Sequence, residues 1–197
     1  MPETRDRLID AAIAELSAKG EQGLRVTSVA EAAGVTEPAV HYFFGNREGL
    51  VTAALAEQFS RIIKEINVPF RDAALECGSK RQFAQLCEAT LRAAYDPSRA
   101  TVRAERTRIL GAATSRPELA EQIVAAQSES LLPLIEGLRF GQDQGWVTPA
   151  LDLEAFGYWT IGQVSGRVMA ELAQSPEELE AWSVISIAAS LSVLGLA

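Results

Sequence analysis

Apolar positions recur at three- and four-residue spacing along the chain, which predicts an all-α protein. In residues 4–19 the stripe is Leu8, Ile9, Ala12, Ile13 and Leu16, with Thr4 as a cap and Gly20 as a stop. Two short helical patterns follow. In the first, from Leu24 to Ala33, Val29, Ala32 and Ala33 share a face, and Gly34 supplies the residue with positive φ that ends it. In the second, over residues 36–43, Thr36 is the cap, Glu37 and Pro38 fill the first turn, and Val40 shares a face with Phe44. Asn46 then caps a longer helix carrying Leu50, Ala54, Leu55, Phe59, Ile62, Ile63 and Ile66, which Asn67-Val68-Pro69 is expected to end.

The rest of the chain is a series of apolar helices. Residues 79–95 form one, and Asp96-Pro97 opens the next, which runs through Val102, Ile109 and Leu110. Pro133 predicts a kink or break near Ser130–Leu132 in the pattern over 116–144. The last two helices, 152–173 and 176–196, are apolar around most of their circumference, so a single packed face does not bury them. A symmetric four-helix contact between two copies does, with Gly162, Ser165, Gly166, Met169, Trp182, Ile185 and Ala189 as the expected dimer interface.

Helix, glycine turn and short polar-aromatic helix over residues 24–44 read as a helix-turn-helix, whose second helix enters the DNA major groove. Tyr42 is the leading candidate for a base or phosphate contact, because its ring and hydroxyl sit mid-helix. The run AEAAGVTEPAVHYFFGNREGL resembles the DNA-binding signature of the TetR family of bacterial transcriptional repressors. The resemblance covers roughly residues 5–55, departs from the usual pattern at His41 and Arg25, and implies a dimer contact in the last two helices. The expected DNA-binding residues are Thr27, Ser28, Thr36, Glu37, Pro38, Ala39, His41, Tyr42, Phe43 and Arg47, the last as a phosphate clamp at a helix N-terminus.

Charge runs against nucleic acid: the net charge is −8, and the first 50 residues hold more carboxylates than basic groups. Affinity must then rest on local placement and on backbone N–H groups, and non-specific binding should be weak. Cys77, Cys87 and the lone His41 offer no metal spacing, and no apolar run reaches membrane-span length, so the expectation is a cytoplasmic protein without metal or cofactor. Arg99, Arg103, Arg106 and Arg108 read as a solvated, salt-bridged face, with an anionic-ligand or interdomain contact as the alternative. Phe83, Cys87, Tyr95, Trp146, Tyr158, Trp159 and Gln163 are candidates for an apolar ligand cavity, or plain core.

These readings combine into two domains. Residues 1–50 form a three-helix DNA-binding domain, and residues 51–197 form a helical domain for effector binding and dimerisation. The expected partners are a double-stranded palindromic operator, a second copy of the chain and an apolar small-molecule effector that releases the repressor. The alternatives are a small-molecule enzyme, for which residues 68–197 contain no His and no paired Cys, or a helical interaction protein with a vestigial helix-turn-helix.

Overall fold

The computed structural model describes residues 2–173 and 175–197, with the side chains of Pro2 and Pro176 left aside. Every regular element among the described residues is helical: α1 (Pro2–Gly23), α2 (Val26–Ala32), α3 (Glu37–Phe44), α4 (Arg47–Leu75), α5 (Lys80–Tyr95), a 3-10 turn (Pro97–Arg99), α6 (Ala100–Ala113), α7 (Pro117–Asp143), α8 (Leu153–Ala173) and α9 (Pro176–Leu194). Local chemistry sets most of these ends. Asn46 Oδ1 accepts from Gly49 N at 2.9 Å, Ser79 Oγ accepts from Gln82 N at 3.3 Å, and Asp152 Oδ1 accepts from Glu154 N and Ala155 N at 3.0 Å. Ser175 and Glu178 close a capping box at α9. None of the described helices is long and apolar enough to cross a membrane.

Two compact units result, Met1–Arg61 with Ile109–Ala126, and Ile62–Arg108 with Gln127–Ala197. The division read from the sequence between residues 50 and 51 does not coincide with this one. Val51, Ala54, Leu55 and Phe59 are buried in the first unit, as are Ile109, Leu119 and Ile123, so α4, α6 and α7 each supply residues to both units. In the first unit Leu8, Leu24, Val29, Val40 and Leu50 lock the three N-terminal helices together. In the second, Phe70, Phe83, Cys87, Leu138, Val147, Leu153, Phe156 and Leu194 form one cluster. Two glycines of α7 admit its aromatic rings: a Cβ at Gly137 would stand 2.8 Å from Phe70, and one at Gly141 would stand 2.6 Å from Phe83.

Pro69 was expected to end its helix and Pro133 to kink or break its own, and neither helix ends at its proline. α4 continues past Asn67-Val68-Pro69 to Leu75, and α7 runs unbroken through Pro133. Proline deprives the carbonyl four residues back of its donor, and those carbonyls belong to Glu65 and Glu129, both exposed, where water can serve them. The opposite faces are buried. Asn67 Nδ2 donates to the Ser130 carbonyl at 2.9 Å, and Phe70, Ala74, Leu131 and Leu138 are core. Continuing each helix buries more than breaking it would.

Candidate nucleic-acid interface and helical cavity

α2, a turn and α3 form the helix-turn-helix. Gly34 in the turn has φ +67°, and Val35 N donates to the Ala30 carbonyl at 2.9 Å. Thr36 has extended N-cap geometry, but its exposed hydroxyl makes no cap hydrogen bond. Val40 is fully buried and fixes the rotation of α3, which leaves Glu37, Pro38, His41 and Tyr42 facing outward, with Ala39 and Phe43 half-buried. Tyr42 is 75% exposed and is held only by the edge of Phe43, with ring centroids 5.1 Å apart. A large aromatic side chain left in water on a two-turn helix is what a groove-reading surface looks like before its partner arrives.

Several expected contacts take a different form. The His41 ring is engaged with its own helix end: Nδ1 lies 3.1 Å from the Gly45 carbonyl, and Nε2 lies 3.9 Å from Glu37. Phe44, expected inside, is half-buried beneath the Arg5 guanidinium, 5.6 Å from its ring centroid. Thr27 is exposed and Ser28 half-buried at the start of α2. Arg25, which departs from the usual family pattern, is an exposed cation at that helix start, and Arg5 and Arg7 in the first turns of α1 are exposed as well.

Arg47 is not placed as a phosphate clamp. Its Nε donates to the Leu24 carbonyl at 3.2 Å and its Nη2 donates to the Glu21 carbonyl, so the half-buried guanidinium ties the end of α1 to the start of α4. The sequence hid this because the acceptors are backbone atoms more than twenty residues away. Arg47→Ala is therefore expected to cost about 1.5–3 kcal/mol of stability, the range for hydrogen bonds to a charged group, and to leave the salt dependence of DNA binding unchanged. Thermal melts read the first and binding isotherms at several salt concentrations the second. A slope reduced by about 1 at an unchanged melting temperature would restore the clamp.

The second unit holds a partly open cavity of about 110 Å³. Its wall is mostly aliphatic, from Ile62 and Ile66 of α4, Leu91 of α5, Val102 of α6, Leu131 and Leu134 of α7, and Ile161 and Val164 of α8, with Asn67, Thr90, Arg99, Arg103, Arg106 and Thr160 as polar members. Of the expected ligand residues only Cys87 lines it, and burial pushes that thiol up to about 12, so it acts as apolar wall. Phe83 is fully buried between Phe70 and Trp146, and Tyr95 meets the edge of Trp182 at 5.2 Å. Tyr158 lies at the surface with its hydroxyl 3.2 Å from Ser128 Oγ, Trp159 stacks on Phe156 at 5.7 Å, and Gln163 stays off the wall. Most of the large aromatics pack the unit, and the cavity wall is mostly aliphatic, with Phe70 and Phe156 as its aromatic members.

The arginine-rich helix departs furthest from its expectation. Arg99 pairs with Glu65 at 2.9 Å and Arg108 with Glu105 at 2.7 Å, as a salt-bridged face would. Arg103 and Arg106, however, are only 3% and 5% exposed. Arg103 donates to Glu171 and to the carbonyls of Ala94 and Asp96 at 2.8 and 2.9 Å. Arg167 shares Glu171 at 3.2 Å, donates to Ser183 Oγ at 2.6 Å and lies over the rings of Tyr95 and Trp182.

Residues 8–54 match the model of the tetR family of bacterial regulatory proteins, which spans α1 to the start of α4. Over that stretch the chain carries the tetR-family N-terminal region. The HTH-type transcriptional regulator BetI of Brucella abortus is 31% identical over 72 residues, a match covering 36% of this chain and 36% of that protein. A crystal structure from Rhodococcus sp., described as a TetR-family regulator, superposes with a TM-score of 0.68 at 22% identity over 98% of this chain and all of its own. The transcriptional regulator FadR of Bacillus subtilis, solved in complex with stearoyl-CoA, gives 0.58 at 21% identity over 95% of this chain and 98% of that one. These structural likenesses extend the TetR fold through the second unit.

Within that unit α8 and α9 present a continuous apolar face. Met169 is 75% exposed, Leu172 86% and Ile185 70%, and Ala189 lies on the same side. A Cβ built on Gly162 or Gly166 meets nothing within 4 Å. Two of the expected interface residues point inward instead: Ser165 accepts from Arg106 at 2.7 Å, and half-buried Trp182 packs on Tyr95. Their polar and aromatic character suited either side, and only the packing chose between them.

Proposed function

We propose that this TetR-family chain is a dimeric, ligand-responsive DNA-binding repressor, with α3 as the recognition helix and the second-unit cavity as the effector site. The exposed Tyr42 beside the buried Val40 carries the first half of this reading. BetI, similar over the N-terminal region, is named an HTH-type transcriptional regulator, and FadR, similar in fold, holds a ligand. α4 begins at Arg47, two residues after the turn that closes α3, and its residues Ile62, Ile63, Ile66 and Asn67 line the cavity. A ligand that favours one arrangement of this helix therefore biases the other end of the same rod, which shifts populations without a separate relay. Two copies joined through α8 and α9 would present two recognition helices to half-sites about one DNA turn, roughly 34 Å, apart. The reading assigns no catalytic step.

The test is binding to a palindromic duplex recovered by selection from random DNA. Tyr42→Ala is expected to weaken specific binding by about 10- to 100-fold per half-site, the range for one good base contact, at an unchanged melting temperature. Retention on DNA should fall steeply with salt. A melting temperature lowered by many degrees would make Tyr42 a packing residue, and no salt-dependent retention at all would overturn the DNA-binding reading.

A further inference from the structure

Arg106 stands in the mostly aliphatic wall of the cavity and is 5% exposed. Its Nη2 donates to two neutral acceptors, the Ile161 carbonyl at 2.8 Å and Ser165 Oγ at 2.7 Å, and its buried Nε has no partner among the described residues. No carboxylate lies within ion-pair reach of it among those residues, whereas Arg103, one turn earlier, and Arg167 both reach Glu171. Burial lowers the Arg106 guanidinium to about 10, which leaves it charged at neutral pH. A buried cation without a counter-charge is costly, and an apolar residue of similar size would fill the same wall at less cost. From this position we infer that the effector is a small amphiphile with one carboxylate, which pairs with Arg106 while its hydrocarbon body occupies the aliphatic wall.

Size and charge narrow the class further. The cavity of about 110 Å³ is somewhat smaller than the engineered cavity of about 150 Å³ that takes up benzene, so the body it holds without opening is about five or six carbons. Arg99 and Arg103 also line it, which makes a cationic head group unfavourable. A guanidinium offers a planar fork that matches a carboxylate in two parallel hydrogen bonds, which neither an alcohol nor an amine can return.

The inference rests on the cavity being the effector site, and the experiment separates the two. The full chain is titrated calorimetrically, without DNA, with hexanoate, 1-hexanol and hexylamine, for the parent protein, Arg106→Met and Arg106→Lys. Hexanoate is expected to bind at least about tenfold more tightly than 1-hexanol, and hexylamine to give no heat. Arg106→Met should bring hexanoate down to the level of the alcohol, melt no lower than the parent, and leave 1-hexanol binding unchanged. Arg106→Lys, which keeps the charge but not the fork, should fall between them, and it carries the comparison if the methionine variant does not fold. Equal binding of acid and alcohol to the parent, an unchanged hexanoate affinity in Arg106→Met, or no heat from hexanoate would overturn the inference. Adding operator DNA then tests the wider reading. Arg106-dependent hexanoate binding that leaves the DNA complex untouched keeps the carboxylate site and removes its regulatory role. Release of DNA by 1-hexanol as readily as by hexanoate keeps the effector cavity and removes the carboxylate.

Discussion

Gly166→Glu is expected to convert the proposed dimer into monomers while both units stay folded. Within one protomer the substitution costs little, because a Cβ at this position meets nothing within 4 Å and any residue other than proline is a better helix former than glycine, by about 0.5–1 kcal/mol. Between protomers the effect is opposite. Gly166 lies on α8 among Gly162, Met169 and Leu172, an apolar face whose exposure to water is unfavourable. A carboxylate there would be desolvated against a second copy with no cation to meet it. Sedimentation should show a single species of half the parent mass, and operator binding should fall to that of one recognition helix. Ile185→Glu on α9 provides the independent check. A dimer that survives both substitutions has its interface elsewhere.

Glu171→Ala should cause the largest loss of stability among single substitutions at polar sites. Glu171 is the one carboxylate serving both Arg103 and Arg167, whose side chains are each 3% exposed, and its own side chain is 15% exposed. Removing one member of a buried charge network costs about 3–5 kcal/mol, because the remaining charges stay desolvated. For a chain of this length that lowers the melting temperature by on the order of 10 °C, readable by circular dichroism. Glu171→Gln, which keeps an acceptor, should recover part of the loss. A fall of about 1 kcal/mol or less would mean that the carbonyls of Ala94, Asp96 and Leu179 already satisfy the two guanidinium groups.

The helix-turn-helix was legible because its determinants are local. Gly34, Thr36, Val40 and Asn46 act within four residues of themselves through a positive φ, an extended N-cap backbone, a buried anchor and an Asn cap, so the sequence alone located α2, α3 and the start of α4. Tyr42 came out exposed for the same reason, since the rotation of a two-turn helix follows from which residue it buries. Arg47 shows where locality ends. Its place at a helix start was readable, but the carbonyls that hold it lie more than twenty residues away.

The amino-acid order by itself therefore determined the order of the helices, the cap at Asn46, the exposure of Tyr42 and the surplus of apolar surface in α8 and α9. Only the tertiary structure decided that α4 and α7 run through their prolines, that the aromatics expected at the ligand site lie off a mostly aliphatic cavity wall, and that Arg103 and Arg106 are buried. Caps and turns are settled by neighbours along the chain. A proline is tolerated, or an arginine desolvated, according to what comes to rest against it, and those partners lie 55 to 68 residues away, with Ser130 for Asn67, Ile161 for Arg106 and Glu171 for Arg103.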